Sequence, residues 1–497
     1  MTVTETSPAT EIGTGAPRRR IPVWLAIVAA SIPMFMASLD NLVMTNALPV
    51  IHKDLGATVE ELQWFVNAYT LSFATFILLS VALADRFGRR TVFVVGIAIF
   101  TLASVAAGFS TNPGELIAAR AVQGVGGAAL LPLSLTLLAG SVPARLRPLA
   151  IGIWGGVAGL GVALGPLIGG AVVEGWDWQA IFWINVPVGI IAVPLVLFAL
   201  PNSFGEKVRA DVLGVILVGL GVLGIVFGIV RGNDAGWHSA QVLTGLIGGG
   251  IALIAFLWWE TRTAAPLIPL GLFRDRSFSV ANIVGFGFSF GMFGTVFFLS
   301  QFLQTVQGYS PLGAGLRVLP WTGMPMLLAP VVGLLAQRVG GKPLVVTGLI
   351  LQAISLTWLA LLLTATTPYS DMVPTFIVAG VGMTLFFVPV ASLVLGSVPK
   401  NLEGLASGTN AAFRELGGVF GIALLGAAFS SSGGYASAQD YVNGLHPAMY
   451  VGAGVMAIGV VMALLVPSRR ALSAPALASL QRIQEISLRD TPDRLSA

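Results

Sequence analysis

Three ionisable side chains lie inside long apolar stretches of the sequence, and they are its strongest candidates for chemistry. Asp40 stands in LDNLVMTNALP, directly after the uncharged run 21–39. Arg120 stands in RAVQGVGGA, and Glu415 stands in RELGGVFG. Within a bilayer a charged side chain costs about 2.5–3.5 kcal/mol or more, so such residues face the protein interior and find partners there. Side chains of this kind serve proton or substrate pathways.

The elements that position these residues follow from the composition. The chain has 497 residues, of which 56% are hydrophobic and 10% charged, and its mean hydropathy is +0.88. A soluble domain carries about 25% charged residues, so this chain cannot cover a water-facing surface. A spanning helix needs about 20 mostly apolar residues, and the apolar runs here are continuous rather than alternating. The sequence therefore predicts an all-α integral membrane protein with fourteen transmembrane helices. The predicted spans are 22–49, 61–84, 91–110, 114–138, 148–172, 180–200, 210–230, 239–259, 279–300, 313–336, 342–364, 372–396, 406–429 and 447–467.

The positions of lysine and arginine test this map. With the amino terminus inside, 21 of the 26 basic residues fall in cytoplasmic segments. Such asymmetry is the positive-inside rule, and it predicts that both termini are cytoplasmic. The basic pI of 9.6 then reflects orientation, so no nucleic-acid partner is expected.

Three pairs of similar segments recur at nearly constant spacing, with offsets of 252, 256 and 256 residues. They predict two six-helix pseudo-repeat halves that enclose a central site and rock to give alternating access. The predicted organisation is a tail at 1–20, halves at 21–200 and 278–467, an insert of two helices with its linkers at 201–277, and a tail at 468–497. The last tail could form a short amphipathic helix or remain solvated. The paired segments are ALADRFGRR with LLAQRVGGK, GVGGAALLP with GVGMTLFFVP, and GVALGPLIGG with GVFGIALLGA.

Two motifs are candidates for conformational gates. In DRFGRR, between the second and third spans, Gly88 permits a tight turn, Asp85 can pair with a base, and Arg86 and Arg89 are positive-inside residues. A plain positive-inside loop is the simpler interpretation, but it needs neither the aspartate nor the glycine.

In GVALGPLIGG, Gly161, Gly165 and Gly169 share one helical face, which lets helices approach closely. Pro166 frees a backbone carbonyl and kinks the helix. Ordinary close packing is the simpler interpretation of this second motif.

Arg120 is the expected partner of Asp40, either directly or through Gln123 or water. Asp40 has three interpretations: an interfacial residue beneath an external loop, a salt-bridge partner only, or a proton site.

Glu415 follows Arg414, and adjacent helix positions do not face each other, so these two need separate partners. The proton-coupling candidates are Asp40, Arg120 and Glu415.

Polar and aromatic residues within the spans are candidates for substrate binding. Most of the aromatic side chains must pack or face lipid, but a subset that lines a wide apolar cavity would suit lipophilic ligands. The predicted substrate-binding residues are Asp40, Asn67, Gln123, Phe293, Gln301 and Asn410.

Together these segments resemble the major facilitator superfamily, and specifically its fourteen-helix drug:proton antiporters, from about residue 21 to 467. The resemblance implies the major facilitator fold, a protonation and substrate role for Asp40, the motif B arginine at Arg120, and a cytoplasmic gate formed by Asp85 with Arg89. It also implies that Gly165 and Pro166 mark an exporter. The matching segments are LDNLVMTNALP, ADRFGRR, RAVQGVGGA, GVALGPLIGG, IFWINVPVG, DVLG, PLGLFRDRSFSVAN, QTVQGYSPLGAGLRVLP and RELGGVFG.

The chain departs from the family pattern in three places. Val81 replaces a glycine, Gln179 stands where an arginine is usual, and Glu415 replaces a glutamine. The last change adds a carboxylate, which could mean a second protonation site or a preference for cations.

The resulting prediction is a proton-driven exporter of lipophilic, and possibly cationic, drugs or antibiotics in a bacterial inner membrane. No cofactor and no metal are expected, and the proton gradient is the expected energy source. The expected partners are small lipophilic molecules, protons and the bilayer, and the expected state is a monomer. The alternative is a dedicated exporter of one natural product, lipid or siderophore. No enzyme is expected, because the sequence contains no cysteine and no HExxH or Walker A motif.

Overall fold

The computed structural model describes residues 22–205, 210–398 and 402–464. Outside the described residues lie both predicted tails, 1–20 and 468–497, and the basic residues Lys207, Arg209 and Lys400.

The described residues form α-helices, with two short 3₁₀ helices at Ala144–Leu146 and Leu270–Arg274 and no strand among them. The helices are α1 (Val23–Leu55), α2 (Val59–Phe87), α3 (Arg89–Gly108), α4 (Pro113–Ser141), α5 (Arg147–Gly175), α6 (Ala180–Trp183), α7 (Asn185–Ala199), α8 (Val212–Ala235), α9 (Ala240–Glu260), α10 (Arg276–Thr305), α11 (Pro311–Thr322), α12 (Met324–Val339), α13 (Gly341–Leu362), α14 (Tyr369–Leu395), α15 (Glu403–Ser432) and α16 (Ala438–Leu464).

Each of the fourteen predicted spans coincides with a described helical segment that is long and apolar enough to cross a membrane. The predicted all-α membrane fold is therefore confirmed. The sixth span consists of α6 and α7, and the tenth consists of α11 and α12, which meet at Gly323. Pro320 and Pro325 flank this second break, and because proline has no backbone N–H they interrupt the hydrogen-bond ladder there.

Two helices extend furthest beyond their predicted limits. The first continues past residue 49 to Leu55, and Gly56 ends it in the left-handed conformation at φ 62°. The last begins at Ala438, before the predicted start at 447. Each extension contains polar residues and adjoins a proline inside the helix, Pro49 or Pro447, so the sequence resembles a loop there.

The helices pack as two bundles joined by an inserted pair. In the first half α1 packs on α5, and α4 packs on α2 and α3; in the second half α10 packs on α15, and α13 packs on α14 and α16. The inserted helices α8 and α9 pack on each other, and α8 also contacts α2 and α15. The insert therefore lies against the seam between the halves.

The halves make their closest backbone contact at one end of the bundle. Nearer the opposite end α2 of the first half and α15 of the second also pack together, and a Cβ added at Gly408 would lie 2.9 Å from Leu78 Cδ2. We call the end that carries the turn 85–90 the turn end, and the opposite end the far end. Toward the far end, a Cβ added at Gly170 would overlap the backbone of Pro311, and one at Gly315 would overlap the backbone of Pro166. Toward the turn end, glycines of α5 such as Gly155 have no neighbouring atom within 4 Å of an added Cβ. The contact between α5 and α11 therefore closes the far end.

Candidate functional site

Asp40 lies near the middle of α1 with only 5% of its surface exposed. Its carboxylate accepts hydrogen bonds from Arg120 Nη1 at 2.5 Å, from Gln123 Nε2 at 2.8 Å and from Asn185 Nδ2 at 2.9 Å. The contact with Arg120 expected from the sequence is therefore present, both directly and through Gln123. All three donors belong to the first half.

Arg120 is fully buried, and its contacts compensate for the lost hydration of the guanidinium. Its Nε donates to the carbonyl of Phe65 at 3.0 Å, and its Nη1 also donates to Gln123 Oε1 at 2.7 Å. The guanidinium carbon lies 4.4 Å from the centroid of the Tyr69 ring, a cation–π distance. Among the described residues its Nη2 makes no hydrogen bond. The pair is electrically neutral only while Asp40 is ionised. Loss of the charge on Asp40 would leave the charge of Arg120 buried without compensation.

Two residues of this cluster were missed by the sequence reasoning. Asn185 donates to Asp40, and Ser104 Oγ accepts from Gln123 at 3.0 Å and from Asn185 at 3.3 Å. Asn185 carries the only amide or hydroxyl side chain in 180–200, and that isolation was an available signal. Ser104 had no such signal, because a serine can bond its own helix and so costs little in a span. We call Asp40, Arg120, Gln123, Asn185 and Ser104 the charge cluster.

Asn67 is completely buried in α2, and neither atom of its amide has a hydrogen-bond partner among the described residues. A buried polar group left unpaired costs about 1–3 kcal/mol. Of the predicted substrate-binding residues it therefore has the most unused hydrogen-bonding capacity. Gln123, by contrast, is fully engaged in the charge cluster.

The remaining predicted substrate-binding residues do not form one group. Phe293 packs against Gly418, while Gln301 accepts from the Tyr435 hydroxyl at 2.5 Å. Asn410 donates to Asn282 at 3.2 Å. Asn282 and Gln301 share α10, and at 1.5 Å per residue they are about 28 Å apart along it. Gln301 and Asn410 therefore lie toward different ends of the bundle, and a substrate role for each stays a prediction.

Arg414 and Glu415 have separate surroundings, as expected for adjacent helix positions. The Arg414 guanidinium carbon lies 4.5 Å from the centroid of the Phe387 ring. Among the described residues, Arg414 Nε and Glu415 Oε2 make no hydrogen bond. Glu415 is thus a second carboxylate within the bundle, without the ion pair that Asp40 has, and its proton-coupling role stays a prediction.

The turn between α2 and α3 is held within the first half. Asp85 Oδ1 accepts from Arg89 Nε and Nη2, each at 2.8 Å. Gly88 has φ 101°, so the tight turn needs glycine. The Arg86 guanidinium lies 5.4 Å from the neighbouring Phe87 ring, at the surface. Among the described residues Asp85 has no ion-pair partner in the second half.

The glycine face of α5 makes the predicted close approach to α1. A Cβ added at Gly161, Gly165 or Gly169 would lie 2.7–2.9 Å from atoms of α1. At the same level the carbonyl of Pro166 accepts a hydrogen bond from Asn46 Nδ2 at 2.5 Å. Gly170 faces α11 instead, so this segment of α5 packs against both halves.

Comparisons with known proteins agree with this architecture. The sequence matches the family model described as the Major Facilitator Superfamily over residues 30–422 and, in an overlapping match, 283–489. "Multidrug resistance protein Stp" of Mycobacterium tuberculosis (strain CDC 1551 / Oshkosh) is 33% identical over 82% of this chain and 76% of its own length.

Two relatives from other organisms are named for export of single compounds. The "Tetracenomycin C resistance and export protein" of Streptomyces glaucescens is 34% identical over 86% of this chain and 80% of its own length. The "Cephamycin export protein CmcT" of Amycolatopsis lactamdurans is 35% identical over 83% of this chain and 86% of its own length.

Among solved structures, the fold is similar to the xylose transporter XylE of E. coli in a partially occluded inward open conformation. The TM-score is 0.62 at 14% identity, covering 90% of this chain and 98% of XylE. A bacterial homologue of the human lysosomal transporter Spinster has a TM-score of 0.63 at 16% identity, covering 91% of this chain and 98% of that one. At these identities the likeness concerns the fold alone.

Proposed function

Because the chain belongs to the major facilitator superfamily, we propose that it is a proton-coupled antiporter that exports lipophilic, in part cationic, drugs or antibiotics from the cytoplasm by alternating access. The observation that carries the proposal is the buried Asp40–Arg120 ion pair. A buried ion pair is weak evidence for stability, since well-packed apolar side chains stabilise as well or better. Its place in the middle of a membrane bundle points instead to a proton or substrate pathway.

The charge cluster suggests how a proton would act. Ionised Asp40 holds Arg120, Gln123 and Asn185 together, and so connects α1 with α4 and α7. Protonation would remove the charge that balances Arg120 and loosen these connections. We propose that ionised Asp40 favours substrate binding from the cytoplasm, and that protonation from outside releases substrate and returns the carrier inward. One charge moved across 100 mV supplies about 2.3 kcal/mol.

We propose that the turn end lies in the cytoplasm, as the distribution of basic residues predicts. With this orientation both termini are cytoplasmic, and the contact between α5 and α11 closes the outer side. We propose that the protein lies in the bacterial inner membrane and functions as a monomer, because one chain supplies both halves. In this proposal the protein is a transporter and not an enzyme. The proton gradient is its energy source, and it uses no cofactor. Its partners are small molecules, protons and lipid.

A dedicated exporter of one natural product is the second candidate, and the relatives named for tetracenomycin C and cephamycin favour it. A dedicated lipid or siderophore exporter would have the same fold and coupling. The two candidates differ in breadth of substrate, not in energy source.

Transport in proteoliposomes tests the proposal. Several cationic and neutral lipophilic dyes are loaded, a pH gradient is imposed, and wild type is compared with Asp40→Asn and Glu415→Gln. We expect the gradient to drive export of several dyes by wild type and not by Asp40→Asn. Asp371→Asn, which alters an exposed carboxylate in the first turn of α14, is the matched control and should behave as wild type.

The outcomes separate the candidates. Loss of function in Glu415→Gln would assign a second proton-carrying carboxylate. Gradient-driven export of one compound only would favour the dedicated exporter. Gradient-independent transport by wild type would overturn proton coupling.

A further inference from the structure

Asn46 of α1 is completely buried where the halves meet, and every polar position of its side chain is used. Nδ2 donates to the carbonyl of Pro166 at 2.5 Å and to the carbonyl of Pro311 at 3.3 Å. Oδ1 accepts a hydrogen bond from the Ser300 hydroxyl. Both donors thus face carbonyls and the acceptor faces a hydroxyl, so an amide satisfies the whole site.

These bonds join four helices from both halves. Asn46 and Pro166 lie on α1 and α5 of the first half, whereas Ser300 and Pro311 lie on α10 and α11 of the second. The Asn46 backbone takes part too, because its carbonyl accepts from Gln304 Nε2 of α10 at 3.0 Å. Asn46 therefore makes hydrogen bonds to both halves at the far end.

The packing of α5 explains why an asparagine can reach this place. Gly165 and Gly169 let α1 lie directly on α5, and the missing Cβ of Gly315 lets α11 lie directly on the backbone of Pro166. The carbonyl of Pro166 consequently sits where α1, α5 and α11 converge. The Asn46 amide fills that junction.

Another polar contact at this end is exposed to solvent. Glu174 Oε2 accepts from the backbone N–H of Leu312 at 3.1 Å, at the surface. Water can replace an exposed hydrogen bond when the halves separate, whereas the buried partners of Asn46 would lose theirs without replacement until water enters. The Asn46 junction is therefore more decisive for the position of this end than the exposed Glu174 contact.

We propose that Asn46 is the latch of the far-end gate, a positioning residue that sets the equilibrium between the closed and open far end. Opening breaks its bonds to Ser300 and Pro311 of the second half, while its bond to Pro166 stays within the first half. The proposal rests on alternating access as proposed above, and it adds the residue through which the glycine–proline segment of α5 closes the gate.

Spin-label distances test the latch directly. The sequence contains no cysteine, so Ala171→Cys with Leu316→Cys supplies the only two thiols, on exposed positions of α5 and α11. Double electron–electron resonance in detergent, without substrate or pH gradient, then reports the separation of these helices. We expect one short distance in the otherwise wild-type chain. Asn46→Ala should raise the ratio of a longer-distance population roughly tenfold, which corresponds to about 1.4 kcal/mol.

Two further variants make the test specific. Asn46→Asp keeps the size of the side chain but removes both N–H donors, so it should open the far end at least as much as Asn46→Ala. Asn282→Ala is the matched control, because Asn282 is equally buried but bonds Phe278 and Asn410 within the second half. It should leave the distance unchanged even if it lowers the unfolding temperature.

Unchanged distances in both Asn46 variants would overturn the latch. If neither variant yields folded protein, Ser300→Ala removes a single bond of the junction, and an unchanged distance in that variant would overturn it as well. The measurement needs no transport. Absence of proton-driven export in wild type would therefore reject the proposed function while these distances still decide on the latch.

Discussion

Arg120 and Asp40 form an ion pair with an N–O distance of 2.5 Å, and both residues belong to the same half of the molecule. A change in the charge of Asp40 therefore acts first on the packing of α1 against α4 and α7. It reaches the second half only through the contacts between the halves, of which α5 with α11 and α2 with α15 are the most extensive. The charge cluster and the far-end junction share α1, because Asp40 and Asn46 are less than two turns apart on it.

Removal of Arg120 alone should be strongly destabilising. Arg120→Met leaves the carboxylate of Asp40 buried without its counter-charge, which typically costs about 3–5 kcal/mol. The double variant Asp40→Asn/Arg120→Met has no buried charge and should recover most of the loss. Thermal unfolding in detergent measures both. A single variant as stable as wild type would show that Asp40 is not ionised in the folded protein.

Asn185 should stabilise the charge cluster although it carries no charge. Asn185→Leu removes one of the two donors to Asp40 Oδ1, and we expect a loss of about 1–3 kcal/mol. Since Gln123 donates to the same oxygen, Gln123→Leu and Asn185→Leu should be non-additive by about 0.5–3 kcal/mol in a double-mutant cycle. The control is Asn443→Leu at an exposed position of α16, which should change little. Strict additivity would mean that the two amides act independently.

Gly88 should be intolerant of a side chain. Gly88→Ala must adopt φ 101°, at a cost of about 1–2 kcal/mol, and its Cβ would overlap the side chain of Asn202. Gly88→Ala/Asn202→Gly removes the overlap but keeps the backbone strain, so it should recover only part of the stability. Gly156→Ala is the control, because an added Cβ there meets no atom within 4 Å. Full recovery in the double variant would show that the clash alone matters.

Gly315 should be required for closure of the far end. Gly315→Ala places a Cβ against the backbone of Pro166, and such overpacking costs about 1–3 kcal/mol. We expect the α5–α11 label pair to shift toward its longer distance and transport to slow roughly tenfold, or about 1.4 kcal/mol. Gly333→Ala lies further along the same span in open space and should leave both unchanged. Equal distances in the two variants would contradict the tight approach of α11 to α5.

The spans and the pairing of Asp40 with Arg120 could be anticipated from the sequence. A bilayer imposes a minimum apolar length on every span, and it makes an unpaired charge so costly that two opposite charges at similar depth are expected to meet. The glycine face of α5 was equally predictable, because residues four apart share a helical face. The orientation is predicted from the positions of lysine and arginine along the chain.

Only the tertiary structure decided which polar residues meet across helices. Asn46 stands among apolar residues, and nothing in its neighbourhood indicates that carbonyls of α5 and α11 converge on it. Ser104 gives no signal either, and the sequence does not show that Gln301 and Asn410 lie toward different ends of the bundle. Hydrophobic length and charge are properties of single segments and can be found along the chain. A hydrogen bond between helices depends on the crossing and rotation of both, which are set by packing over their whole length.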